Sequence, residues 1–145
     1  LQVDRHTLDR LRGSDFPVLD VSARRAMEDR IGEAAERGDS VGGSVELCAL
    51  GLPVGTGGPL WEGLESSIAS GGINGGMANG APVLLRVAFR PTPSITQPQH
   101  TVNLRELQNA RITVGGRHDS CIALRGLAAA EAALCLGILN CMEGL

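Results

Sequence analysis

The chain has 145 residues, with 13 Arg and no Lys against 16 Asp and Glu, a formal net charge of −3 and 43% apolar residues. That length suits one domain with one real core, the apolar fraction excludes wholesale disorder, and the mild negative charge speaks against a general nucleic-acid binder. Gly is unusually frequent at 20 residues, against an ordinary share of roughly 7%, while Phe16, Phe89 and Trp61 are the only aromatics. A core of Ala, Leu, Val and Gly must pack small side chains closely, and base stacking has almost nothing to stack on. Arg without Lys reads first as codon bias and only second as an anion-binding signal.

Cys48, Cys121, Cys135 and Cys141 form no C-x-x-C and have no His at zinc spacing, so they read as buried free thiols in a reducing compartment. No basic, apolar and cleavage-site pattern opens the sequence, and a cytoplasmic location is expected. The longest apolar run, 127–142, is interrupted by Glu131 and Asn140 and falls short of the ~20 residues that a bilayer span needs. It is read as a buried core helix, and no membrane partner is expected.

In chain order, Val3, Leu8 and Leu11 suggest a turn or two of helix near the start. Asp20 or Ser22 caps a helix running to about 37, with Met27, Ile31 and Ala34 as its apolar face and Gly38 as its stop. Residues 39–43 form a turn. A strand over 44–52 alternates Val45, Leu47 and Ala49 with Ser44, Glu46 and Cys48. A glycine loop over 54–58 precedes a second helix over 59–70, which carries Leu60, Leu64 and Ile68 at spacing four. Residues 71–80 hold five Gly and read as a loop. A strand over 82–90 puts Val83, Leu85, Val87 and Phe89 on one face. Two Pro exclude helix and central strand from 90–94. Residues 101–104 and 111–114 suit a hairpin, and 115–121 a loop dense in chemistry. The apolar helix begins near 126. No internal repeat is visible.

Three segments carry the chemistry. The glycine segment 71–80 lets backbone approach a ligand and offers N–H groups to an anion, but it is neither G-x-G-x-x-G nor a P-loop, and by itself a structural turn is the better account of it. Arg90-Pro91-Thr92-Pro93-Ser94 sets a guanidinium and two hydroxyls on a rigid frame suited to a phosphate or a flavin's polar edge; a plain strand-ending turn is the simpler account. Arg117-His118-Asp119 offers an anion fork, an imidazole and a carboxylate in succession, which can do acid–base work where partly buried. An exposed polar turn would have the same composition. His6 and His100 lie in polar context and read as surface residues. No metal site is indicated, and no G-x-S-x-G motif is present.

In order along the chain, Gly38-Asp39-Ser40-Val41-Gly42-Gly43, Gly51-Leu52-Pro53-Val54-Gly55, the whole of 71–80, Leu85 to Ile95, and Gly116-Arg117-His118-Asp119-Ser120-Cys121 resemble the C-terminal half of the chorismate synthase family. The resemblance covers about 14–142 and includes the Ala-rich helix with Glu131. It implies an α+β fold, a β-α-β sandwich with antiparallel sheets flanking a helical layer, of which 1–145 would be a single, incomplete domain. The activity implied is an FMN-dependent 1,4-anti elimination of phosphate from 5-enolpyruvylshikimate-3-phosphate, giving chorismate in the shikimate pathway. Reduced FMN is the implied cofactor, with no net redox change, and whether NADPH or an outside reductant supplies its electrons stays open. The implied assembly is a homotetramer.

Carried onto this chain, the family's flavin-contacting residues are Gly75, Arg90, Pro91, Thr92, Pro93, Ser94 and Arg117, with Asp119 as the catalytic carboxylate at the flavin N5. Arg117 would also steady the departing phosphate. The family's N-terminal half, with its two catalytic His, has no counterpart here, and none of His6, His100 or His118 matches those positions. Ser120 stands where the family has Pro, and 56–58 depart from its Leu-Gly-Glu. Between Ser70 and Gly71 the family carries several tens of further residues. The alternative is a non-catalytic fragment or degenerate paralogue that keeps the fold and part of the flavin and phosphate site.

Overall fold

Asp4 opens the first helix, α1 (Arg5–Arg12), by accepting the Thr7 N–H at 2.8 Å, one of the donors that a first helical turn leaves unpaired. The computed structural model describes residues 3–57 and 72–142. The same device opens α2 (Val21–Glu36), where the Asp20 carboxylate accepts the Ser22 N–H at 2.9 Å and its hydroxyl at 2.6 Å. Hydrogen bonds from the side chain and then the backbone of Thr7 hold the Asp4 carboxyl below its ordinary value, and those of Ser22 do the same for Asp20.

At the far end of α2, Gly38 takes φ +64°. Its N–H reaches the Ala35 carbonyl at 3.0 Å, and the Asp39 N–H reaches that of Ala34 at 2.9 Å. This paired closure satisfies two carbonyls that the helix end would otherwise strand. The charges of α2 are a solvated face, as expected: Arg24–Glu28, Arg30–Glu33 and Arg25–Asp29 pair in the open at 2.7, 3.1 and 3.9 Å. The apolar face is narrower than the spacing predicts. Ala34 is buried, but Met27 is 47% exposed, because no apolar element among the described residues covers the start of the helix.

Contacts divide the chain into two units, one of 1–19, 44–88 and 124–145, the other of 20–43 and 89–123. In the first, β1 (Gly43–Ala49) pairs with β4 (Val83–Phe89). Leu47 and Val83 point from these strands into a core completed by Ala78 and Leu134, with Ala49, Leu52, Ile73, Leu85 and Leu127 partly buried against it. The predicted alternation is therefore observed, although β1 stops three residues before Leu52. Its solvent face carries a Glu46–Arg86 ion pair, Arg86 Nε donating at 2.8 Å.

The glycine segment is more than the loop expected of it. β2 (Ile73–Asn74) and β3 (Met77–Ala78) form an antiparallel hairpin. Gly75 and Gly76 make its two-residue turn with φ +57° and +83°, the doubly positive backbone of a type I′ hairpin. Residues 54–57 dock along β3: the Gly55 N–H donates to the Ala78 carbonyl and the Ala78 N–H to that of Thr56, each at 2.8 Å. Thr56 is fully buried, its hydroxyl donating to the Pro53 carbonyl at 2.9 Å. The helix predicted over 59–70 lies outside the described residues.

The last helix, α3 (Ala123–Met142), departs most from expectation. It starts three residues earlier than predicted and is 20 residues long. Leu127, Ala130, Leu134, Ile138 and Cys141 turn one face to the core. The opposite face is bare, with Leu136 67% and Leu139 55% exposed, so the helix is mostly exposed rather than buried. Ala, Leu and Gly surround it on all sides, which hid the sidedness from the sequence. At 20 residues and a mean hydropathy of 1.4 it is long and apolar enough to cross a membrane, so length no longer distinguishes it from a span. A single such helix is weak evidence, and its contacts here are protein ones, including Arg12 to Glu131 at 2.7 Å.

The second unit carries α2, the Pro-rich turn and the hairpin of β5 (Gln99–Asn103) with β6 (Gln108–Ile112), antiparallel with His100 opposite Arg111 and Thr101 opposite Ala110. The hairpin expected at 101–104 and 111–114 lies one to three residues earlier. Leu107 closes its turn at φ +52°. The chain then returns to α2, where the Val41 N–H donates to the Ser120 carbonyl at 2.7 Å and Val41 bridges Cys121. The fold class is mixed α+β, with helices beside small two-stranded sheets.

Candidate functional site

The second unit ties the Pro-rich turn to the end of α2 through single hydrogen bonds. The Thr96 N–H and hydroxyl both donate to the Gly38 carbonyl, at 3.1 and 3.2 Å. The Gln97 side-chain amide donates to the Arg37 carbonyl at 3.0 Å, and the Ser40 hydroxyl to the Thr92 carbonyl at 2.7 Å. Gln99 closes the turn on itself by donating to the Pro93 carbonyl at 2.9 Å. Pro91 and Pro93 leave this segment without ladder donors, so side chains and turns do the tying. Gly42 allows the close approach: a Cβ there would lie 2.5 Å from the Phe89 carbonyl oxygen.

A cleft of about 150 Å³ results, lined by Gly38, Asp39, Ile95, Thr96, Gly116, His118 and Asp119. Gly116, at φ +122°, bends the returning loop, and the His118 ring lies 3.5 Å from where its Cβ would be. Two polar atoms in this unit are buried without a hydrogen-bond partner among the described residues: the Thr92 hydroxyl and His118 Nε2. Such atoms are uncommon in native proteins and call for an explanation.

Of the residues singled out in the sequence, Asp119 lines the cleft and is half buried. Arg117 stands between two lining residues with its side chain exposed. Arg90, Pro91 and Pro93 are exposed, and Thr92 and Ser94 half buried, in the turn that leads into Ile95 and Thr96. Neither Arg90 nor Arg117 has an ion-pair partner among the described residues. Two of the three predicted segments are thus brought together in one unit. Gly75 belongs to the other, exposed at the hairpin turn, with nothing within 4 Å of where a Cβ would stand.

His118, read in the sequence as part of the Arg117–Asp119 cluster, also lines the cleft, and Asp39 and Thr96 line it without having been assigned a role. The signal for Asp39 was available: it directly follows the glycine that stops α2, where the chain must reverse. His6 and His100 are exposed, as expected. Among the described residues no cluster of His, Cys, Asp and Glu is set to hold a metal, and none of the four Cys is in a disulfide. Cys135 is exposed and the others half buried rather than buried; burial raises the Cys48 thiol above its ordinary value.

Comparison with known proteins gives this geometry a context. A chorismate synthase from Dehalococcoides mccartyi is 34% identical over 168 residues, covering 85% of this chain and 46% of its own. One from Methanococcoides burtonii is 32% identical over 179 residues, covering 92% and 49%, and one from Methanothermobacter thermautotrophicus is 34% identical over 169 residues, covering 85% and 45%. The chain spans about half the length of the curated relatives it matches. These alignments are longer than the chain itself, so the relatives carry residues with no counterpart here. The sequence model described as chorismate synthase matches in two segments, 2–71 and 67–142, which meet where the sequence reading sets the family's extra residues. Together the two segments take in nearly every residue, and the chain belongs to the chorismate synthase family.

Proposed function

We propose that this chain is the C-terminal half of a chorismate synthase and supplies part of the site where phosphate is eliminated from 5-enolpyruvylshikimate-3-phosphate. The observation that carries the reading is the pairing of Arg90–Thr92 and Arg117–Asp119 in one unit, with a cleft beside them. The residues suit FMN. The buried Thr92 hydroxyl lacks a partner among the described residues, and the exposed guanidiniums of Arg90 and Arg117 are free of ion pairs there. A hydroxyl and two cationic forks are the donor set that a phosphate and a polar ring edge require.

Thr92, Ser94 and Arg90 would hold the flavin, with Pro91 and Pro93 keeping their spacing. Reduced FMN, when bound, supplies an electron-rich ring and leaves the reaction in the redox state in which it entered. Asp119 would assist removal of the substrate's C6 proton, its carboxylate held half buried and so partly shielded from solvent. Arg117 would stabilise the charge developing on the departing phosphate. In this reading the bare face of α3 is the inner side of a helical layer in a β-α-β sandwich, completed by the family's N-terminal half, and the whole assembles as a cytoplasmic homotetramer.

The alignments to its relatives are longer than the chain, so residues they carry have no counterpart within it, and this favours a second reading, a non-catalytic paralogue that keeps the fold. Co-expressing the chain with the N-terminal half of the Dehalococcoides relative separates the two. Chorismate and phosphate formed anaerobically with reduced FMN, at a rate neither half gives alone, support the enzyme. A folded complex that binds FMN and forms no chorismate supports the paralogue.

A further inference from the structure

Residues 40–43 run between two parts of the second unit, and each touches one of them. The Ser40 hydroxyl donates to the Thr92 carbonyl at 2.7 Å. The Val41 N–H donates to the Ser120 carbonyl at 2.7 Å, and Val41 bridges Cys121 in parallel. A Cβ on Gly42 would lie 2.5 Å from the Phe89 carbonyl oxygen and 3.1 Å from Pro91 Cδ. A Cβ on Gly43 would lie 2.6 Å from the Ala123 Cβ and 3.8 Å from Cys121 Sγ. The contacts alternate: Ser40 and Gly42 meet 89–92, whereas Val41 and Gly43 meet 120–123. That is the period of extended backbone, whose successive side chains point to opposite faces. Neither Gly42 nor Gly43 has a positive φ, so neither is Gly for the sake of its backbone angle. What each supplies is the lack of a side chain, against a main-chain oxygen on one face and a methyl group on the other. Neither obstacle can rotate away.

We propose that 40–43 is a strut whose narrow width sets the distance between the Pro-rich turn and the Arg117–Asp119 loop, and that Ser40, Gly42 and Gly43 are positioning residues for a ligand that touches both. Pro91 and Pro93 fix φ in the turn, so a push at Phe89 or Pro91 is passed on to Thr92 and Ser94. Ser120 directly follows Asp119, so its bond to Val41 holds that loop at its far end. The identity of the ligand rests on the proposed function, and the spacing does not.

The test reads amide signals in the ¹⁵N-labelled chain, and FMN affinity in its complex with the N-terminal half of the Dehalococcoides relative. Gly42→Ala is expected to shift the amides of Arg90, Thr92 and Ser94 and to leave Val41 exchange unchanged. Gly43→Ala should do the reverse, shifting Cys121 and Ala123 and speeding Val41 exchange. Each should weaken FMN about tenfold, because a small misplacement of positioned groups is costly. Ser40→Ala should weaken it several-fold, the scale of one lost neutral hydrogen bond, and Ser40→Thr, which keeps the hydroxyl, should restore it. Leu134→Ala, which lowers stability from the first unit, should leave FMN affinity as it is. Should a glycine variant fail to fold, the two Ser40 variants decide. Native FMN affinity in Ser40→Ala, or equal loss in Ser40→Thr, overturns the inference. So does a loss of the same size in Leu134→Ala, or a Gly42→Ala spectrum that moves both sets of amides alike. If the variants leave FMN affinity unchanged while the complemented enzyme makes chorismate, the inference falls and the proposed function stands. If the amides move as stated but the unsubstituted complex binds no FMN, the proposed function falls and the strut stands.

Discussion

The two units are held together by different means. In the first, Leu47, Ala78, Val83 and Leu134 are buried on one another, and strands and helix share an apolar core. In the second, Ala34 and Ala123 are the only buried apolar side chains among the described residues, and the backbone is tied by hydrogen bonds from Thr96, Gln97, Ser40 and Gln99. Apolar burial is non-directional and tolerates small shifts, whereas each of these bonds fixes one atom against another. The unit with the poorer core is therefore the one able to position a carboxylate and an imidazole. Its stability is correspondingly local and more easily lost.

The largest effect should come from the second unit and leave its stability alone. In the complemented enzyme, Asp119→Asn is expected to lower turnover by about 10²–10⁴, the usual worth of a positioned acid–base group, with little change in FMN affinity. Steady-state kinetics beside a flavin titration checks this. Turnover and affinity falling together would make Asp119 a binding group, and unchanged turnover would remove it from the chemistry.

The first unit should respond in the opposite sense. Leu134→Ala removes a buried side chain from the face of α3 that meets the core, and a loss of about 2–4 kcal/mol is expected in urea unfolding. Because the other face of α3 is bare, the site can relax, which holds the loss near the lower end of that range. A loss below about 1 kcal/mol would mean that the core is not where this unit's stability lies.

Gly38→Ala probes the ties of the second unit. At φ +64° any side chain is strained, and an added Cβ would collide with the Thr96 hydroxyl oxygen. The expected cost is about 1–3 kcal/mol. Thr96→Ala in the same chain should recover part of it by removing the collision while leaving the backbone strain. Full recovery would mean that the left-handed backbone costs nothing here.

The same contrast explains what could be read from the sequence. The alternation in β1 and β4 was legible, because burial on one side of a strand leaves a period of two in Val83, Leu85 and Val87. So was the cap-to-glycine frame of α2, since Asp20 and Gly38 are local signals. The β2–β3 hairpin was missed: its strands are two residues each, too short for any period, and the Gly75-Gly76 pair was the one cue. The sidedness of α3 was hidden by apolar residues on every face. The ordered motifs pointed to Asp119 and the Pro-rich turn, but nothing in the spacing of Asp39, Thr96 and Asp119 says that they share a cleft. That follows from bonds between residues more than fifty positions apart, such as Thr96 to Gly38.

The smallest effect concerns the two helix starts, one in each unit, and their response to acid. Asp4 and Asp20 have carboxyls held below their ordinary value by the donors they accept from Thr7 and Ser22. In the unfolded chain these donors are absent and each group titrates near 3.9. The stabilisation they give is therefore complete above that value and is lost as pH falls through the lower, folded value. Helical circular dichroism should hold from pH 7 to about 4 and decline below it. Asn caps a helix about as well as Asp and does not titrate. With Asp4→Asn and Asp20→Asn together, the acid decline should shrink while helicity at pH 7 stays the same. An unchanged decline would remove the two caps as the source of the acid sensitivity.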